Sequence, residues 1–86
     1  MTTHFVYVLQ SEKDNKFYIG YTTVLRRRLD QHNNGETLST AHRRPLKLIF
    51  YEAYLDQKDA LRREDYFKTT AGKRALKIML RNYLNR

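Results

Sequence analysis

Two runs rich in β-branched and aromatic residues, His4–Gln10 (HFVYVLQ) and Lys16–Tyr21 (KFYIGY), flank the short segment Ser11–Asn15 (SEKDN). That segment is made of turn formers, and Asp14 and Asn15 tolerate positive φ. The first 21 residues are therefore predicted to form a β-hairpin. The first run is apolar on both faces, which suits a strand in the centre of a sheet.

Downstream the hydrophobic period changes. Thr22 or Thr23 can cap a helix running to about Asn34, with Gly35 as its C′ stop. Glu36–Pro45 (ETLSTAHRRP) has no period and is expected to be a loop, and Leu46–Tyr54 (LKLIFYEAY) is a third strand. Asp56 to about Thr70 has helical spacing, with Ala60, Leu61, Glu64 and Phe67 on one face. Thr69–Gly72 (TTAG) is expected to break it. Lys73–Leu84 is a last amphipathic helix built on Leu76, Met79, Leu80 and Tyr83. The order ββαβαα predicts one α/β domain of the α+β kind over residues 1–86, a three-stranded antiparallel sheet flanked by three helices.

Packing alone has to hold such a domain. The chain has 86 residues and no cysteine, so neither a disulfide framework nor a thiolate zinc site is available. Hydrophobic residues make up 41%, with 7 Tyr and 4 Phe among them, which is enough to build a core. Met1–Phe5 lacks the basic and apolar regions of a signal peptide, and no apolar run approaches the roughly 18 residues of a membrane span. A soluble cytoplasmic, nucleoid-associated protein without a membrane partner is the expectation. Lys and Arg number 17 against 9 Asp and Glu, a net charge of +8. That balance attracts polyanions, nucleic acid before an acidic membrane surface, although solubility alone also accounts for a basic surface.

Some polar residues fall where the core pattern wants apolar ones. Leu25 and Leu29 mark the buried stripe of the first helix. Arg28 follows Leu25 by three positions and His32 follows Leu29 by three, so both border the sheet, whereas Arg26 and Arg27 point elsewhere. Glu64 shares its stripe with Ala60, Leu61 and Phe67. A carboxylate on an apolar face is uncommon unless it is paired or binds a metal. A plain Arg28–Glu64 ion pair would satisfy both groups without any chemistry. Tyr7 and Tyr18 lie on adjacent strands and can face each other across the hairpin, as core packing or as a site. His32 on its own fits a helix C-terminal cap.

Taken together, these residues resemble the GIY-YIG endonuclease domain. Val6-Tyr7-Val8 stands where the first element of that signature falls and shares only its tyrosine; Tyr18-Ile19-Gly20 is an intact second element. Arg26–Asn33 (RRRLDQHN) is similar to the family's arginine helix, and Ala60–Glu64 (ALRRE) with Lys68 to its glutamate helix. The likeness spans about residues 4 to 80 and is nearest to the small standalone bacterial members. Tyr21 follows Gly20 where excision-repair members carry a lysine, so this chain does without that cation.

The resemblance implies a metal-dependent endonuclease hydrolysing phosphodiester bonds in DNA, structure-selective or weakly selective, in repair or recombination. A larger repair or recombination protein is a further implied partner. Tyr7, Tyr18, Arg28, His32 and Glu64 take the catalytic roles. Glu64 would hold one Mg²⁺ or Mn²⁺, and Arg28 would clamp a non-bridging phosphate oxygen. Tyr7 would orient the attacking water and take its proton, with Arg28 and the metal favouring phenolate. Tyr18 and His32 would complete the hydrogen-bond network. Outside the site, Arg26, Arg27, Arg43, Arg44, Lys68, Lys73 and Arg74 are expected to grip the backbone without reading sequence. The alternatives are a nucleic-acid-binding module whose site is weak or inactive, and an interaction domain for an acidic protein. Arg28 and Glu64 together favour the enzyme, because binding alone has no use for a carboxylate that repels phosphate.

Overall fold

The computed structural model describes residues 1–86. Strand β1 spans His4–Ser11, β2 spans Phe17–Thr22 and β3 spans Leu46–Tyr54. They form one antiparallel sheet in the order β2-β1-β3, with the first strand central, as its two apolar faces require. The hairpin closes where the Ser11 N–H donates to the Lys16 carbonyl at 3.0 Å, and Asn15 takes the positive φ, at 62°.

Five helices accompany the sheet: α1 (Leu25–Asn33), α2 (Leu38–Ala41), α3 (Gln57–Phe67), α4 (Thr70–Met79) and α5 (Arg81–Leu84). The ββαβαα order stands once the single turns α2 and α5 are added to it. Alternation along β1 sends successive side chains to opposite faces. Tyr7 and Leu9, with Leu46 of β3, meet Leu25 and Leu29 of α1 on one face. Val6 and Val8, with Ile19 of β2, meet Ala60, Phe67 and Leu76 of α3 and α4 on the other. Each fully buried Val, Leu or Phe contributes about 1.5–3 kcal/mol, so this double-faced strand is the backbone of the core.

Several details depart from the sequence expectation. Neither Thr22 nor Thr23 caps α1: Val24 is the N-cap and no side chain bonds there, while the Thr22 hydroxyl accepts from the Val24 N–H. Gly35 does follow the helix with φ 77°. The segment 36–45 is not all loop, because Leu38–Ala41 makes the turn α2. The expected break is present but is shorter and earlier, at Lys68 and Thr69, so that residues 70–72 already belong to the next helix. Thr69 is the N-cap of α4, its hydroxyl accepts from the Gly72 N–H at 3.0 Å, and α4 begins at Thr70. Leu61 and Met79 lie on the outer sides of their helices, 38% and 44% exposed. The sheet face covered by α3 and α4 takes only Ala60, Phe67 and Leu76 from them, with Leu80 partly buried alongside.

Candidate active site

The site begins with a glycine. Tyr7 of β1 pairs with Gly20 of β2 across the hairpin. A β carbon at position 20 would collide with Cζ and Oη of Tyr7. The phenol therefore lies across the bare backbone and carries its hydroxyl toward the open edge of β2. Tyr7 is 1% exposed, and its hydroxyl is hydrogen-bonded on two sides. It lies 2.9 Å from Nε2 of His32 and accepts from Nε of Arg28 at 3.4 Å.

His32 sits at the end of α1 with no exposed surface. Its Nδ1 lies 2.8 Å from Oγ1 of Thr40, a buried residue of α2. The Thr40 hydroxyl reaches the Thr37 carbonyl at 3.5 Å. One polarity gives every proton of this chain an acceptor within the protein. Arg28 donates to Tyr7, Tyr7 to His32 Nε2, His32 Nδ1 to Thr40, and Thr40 to the Thr37 carbonyl; this tautomer is assigned from the network. The Tyr18 ring meets the imidazole edge-on with centroids 4.9 Å apart and walls the site on one side.

Electrostatics follow from that burial. Burial, and behind it the charge of Arg28, pushes the His32 imidazole down to about 4, so it is neutral at pH 7. Burial also raises the Tyr7 phenol; the Arg28 hydrogen bond works against that, while Tyr18 and Glu64 reinforce it. Arg28 does pull Tyr7 toward phenolate, as expected, but alone it does not prevail. Desolvation outweighs the guanidinium, and the resting phenol is protonated. Arg28 itself is held even more firmly in its charged form, first by the hydrogen bond to Tyr7.

Glu64 projects from α3 close enough for its charge to act on Tyr7. Its neighbour Arg63 makes a two-pronged bond to Glu52 of β3, at 2.9 and 3.1 Å, and lies 4.3 Å over the Phe67 ring. The Arg28–Glu64 ion pair does not form. Arg28 bonds Tyr7 and Gln31, and Glu64 pairs with Lys68 at 3.2 Å. The Glu64 side chain is 16% exposed, whereas Lys68, at 54%, is free to swing away. No group of three His, Cys, Asp or Glu side chains that could cage a metal is present.

Among the other basic residues, Arg27 lines a depression of about 400 Å³ together with Arg28 and Gln31, at the mouth of the site. Arg26 is turned outward and paired with Asp30 at 3.6 Å. Arg44 folds back onto the Ala41 carbonyl at 2.7 Å. Arg43, Lys73 and Arg74 lie together in a separate groove. No helix is long and apolar enough to cross a membrane.

Thr40 and the role of Gly20 extend the site beyond the residues singled out in the sequence. Thr40 lies in a segment without period, where nothing distinguishes a buried hydroxyl from a loop one. Gly20 does carry a signal, since a glycine inside a strand often marks close approach of another group.

Comparison with known proteins gives the family and agrees with the fold. The profile of the family described as the GIY-YIG catalytic domain matches residues 3–77. The UPF0213 protein YazA of Bacillus subtilis is 42% identical over 72 residues, covering 83% of this chain and 72% of its own. A UPF0213 protein of Staphylococcus haemolyticus is 38% identical over 80 residues, covering 92% and 96%. The solution NMR structure of a UPF0213 protein from Bacillus halodurans superposes with a TM-score of 0.58 at 31% identity, over 90% of this chain and 84% of that one.

Proposed function

This chain belongs to the GIY-YIG catalytic domain family, a nuclease-type domain, and from that premise we propose that it is a divalent-metal-dependent endonuclease acting on DNA in repair or recombination. The observation that carries the reading is the hydrogen-bonded chain from the Arg28 cation through Tyr7 and His32 to Thr40, with Glu64 of α3 near enough for its charge to act on the Tyr7 phenol. Phosphodiester hydrolysis needs each of these. It needs charge stabilisation at the phosphate, a path for the proton of the attacking water, and help for the leaving oxygen.

Arg28 uses Nε on Tyr7 and Nη1 on Gln31, which leaves Nη2 to donate to a non-bridging phosphate oxygen. Tyr7 takes the water proton on Oη as its own proton passes to Nε2 of His32. With His32 near 4, forming the imidazolium at pH 7 costs about 4 kcal/mol. That is modest beside the 8 kcal/mol or more, roughly, by which enzymes lower barriers. Thr40 holds the imidazole so that Nε2 faces the phenol. The Tyr18 edge fixes the plane of the ring.

Glu64 offers one hard oxygen donor without a protein cage around it. That fits Mg²⁺ or Mn²⁺, which keep several waters and take further ligands from phosphate. When bound, such an ion supplies Lewis-acid stabilisation of the phosphate and the leaving 3′-oxygen. The site holds no element that reads base edges, which favours weak sequence selectivity. Lys68 seated on Glu64 favours a second reading, a nucleic-acid-binding module without turnover. Incubating the pure protein with linear, flapped and branched DNA, with Mg²⁺ or Mn²⁺ and with chelator, separates the two. Metal-dependent cleavage supports the enzyme. Binding without any cleavage on all substrates supports the second reading.

A further inference from the structure

A larger depression than the one at the site mouth lies elsewhere, a groove of about 930 Å³ between the β1–β2 turn and α4–α5. Its rim carries Lys16, Arg43, Lys73, Arg74, Lys77 and Arg81 against the single carboxylate of Asp14. Asp14 is shared with Arg43 at 3.8 Å. Lys16, Lys73, Arg74, Lys77 and Arg81 take part in none of the protein's ion pairs. Positions 73, 77 and 81 repeat every four residues, which brings their charges to one side across α4 and α5. Concentrated like charge repels itself, so such a rim is stabilised by a polyanion rather than by the fold.

The apolar part of the lining is different in kind: it consists of Phe17, Ile78 and Leu84, and Ile78 is 57% exposed. A lone exposed isoleucine is ordinary. One that lines a cationic groove together with Phe17 and Leu84 offers apolar contact to whatever the cations hold. A duplex keeps its base faces stacked inside and meets only the rim. A single strand presents phosphates and bare base faces together.

The groove and the site share the edge strand β2. Phe17 lines the groove and packs with the α3–α4 face, while Tyr18, the next residue, turns to the α1 face and packs on His32. Arg43 donates to the Phe17 carbonyl at 3.2 Å, on the edge strand itself. From Gly20 to Phe17 the strand advances about 10 Å, the rise of roughly three stacked nucleotides.

We propose that this groove holds a single-stranded segment of nucleic acid beside the cleavage site. The proposal rests on nucleic acid being the molecule the site acts on, and it gives the substrate a class: DNA with an unpaired arm next to the scissile bond. Bound in this way, the arm fixes where along the strand the site acts without any base being read.

The test is fluorescence anisotropy in chelator, where no cleavage intervenes, using a labelled oligothymidylate of about 12 nucleotides and a duplex of equal length. The Lys77→Ala/Arg81→Ala variant should bind the oligothymidylate about tenfold more weakly or worse. Its log–log salt slope should be shallower by about 1.4, or 0.7 for each lost phosphate contact. Ile78→Ala, an exposed position, should weaken the single strand and leave the duplex unchanged. Wild-type oligothymidylate binding in either variant overturns the proposal. So does loss of binding to phosphatidylglycerol vesicles in the double variant with oligonucleotide binding unmoved, which would assign the groove to a membrane surface. Cleavage is scored separately with metal. A wild-type protein that cuts nothing argues against the nuclease reading, while the anisotropy series still decides the groove.

Discussion

The Tyr7 ring lies across the backbone of Gly20, its cross-strand partner, so closely that position 20 has no room for a β carbon. The hydroxyl that joins Arg28 to His32 is where it is because residue 20 has no side chain. Gly20→Ala should therefore move Tyr7 out of both hydrogen bonds. Displacing a reacting group by about 1 Å lowers rates roughly a hundredfold, and the overpacking should cost about 1–3 kcal/mol. Urea unfolding and a cleavage assay on the variant check both. An alanine variant with wild-type cleavage would show that the placement of Tyr7 is immaterial.

His32 makes stability depend on pH. Its folded value, about 4, lies below the unfolded 6.5, so the unfolded chain binds the extra proton first as pH falls. The contribution is fully present above about pH 6.5 and is lost progressively on the way down to about 4, to a total of roughly 3 kcal/mol. Urea midpoints measured across that window should fall for the wild type and change less for His32→Gln. Parallel pH curves for the two proteins would mean that His32 titrates normally in the fold.

Thr40→Val keeps the side-chain shape and removes the acceptor from Nδ1 of His32. Leaving that buried N–H unpaired should cost about 1–3 kcal/mol. The imidazole is then free to turn or change tautomer, and cleavage should drop by about tenfold or more. Nitrogen NMR of the ring reports the tautomer directly, and Thr40→Ser should restore both tautomer and rate. A valine variant with unaltered ring shifts and rate would reduce Thr40 to packing.

Much of this was legible in the sequence because local signals agreed with the tertiary structure. The doubly apolar run His4–Gln10 announced a central strand, and Asn15 a positive φ. The three-residue offsets of Arg28 and His32 from Leu25 and Leu29 placed both against the sheet, where His32 is buried and Arg28 reaches Tyr7. Partners across long sequence separations were not legible. Helical spacing allowed the local Glu64–Lys68 pair, four residues apart, but could not show that Arg28 would turn to Tyr7 and leave Glu64 to it. The charge pattern gave the direction in which Arg28 pulls Tyr7 but not the extent of burial, which outweighs it. Thr40 was hidden because a single-turn helix has too few residues to show a period.

The central claim is that Glu64 serves catalysis rather than the scaffold, and Glu64→Gln tests it most directly. Its only ion pair is the local one with Lys68, and Arg28 has other partners. Local helix pairs contribute about 0.3–0.5 kcal/mol, so the melting temperature should shift by less than about 4 °C. Cleavage of DNA in Mg²⁺ or Mn²⁺ should disappear while DNA binding persists or strengthens, since a carboxylate facing phosphate is gone. A glutamine variant that melts far below the wild type yet cleaves at the wild-type rate would contradict the account, making Glu64 a structural residue and moving the catalytic centre elsewhere.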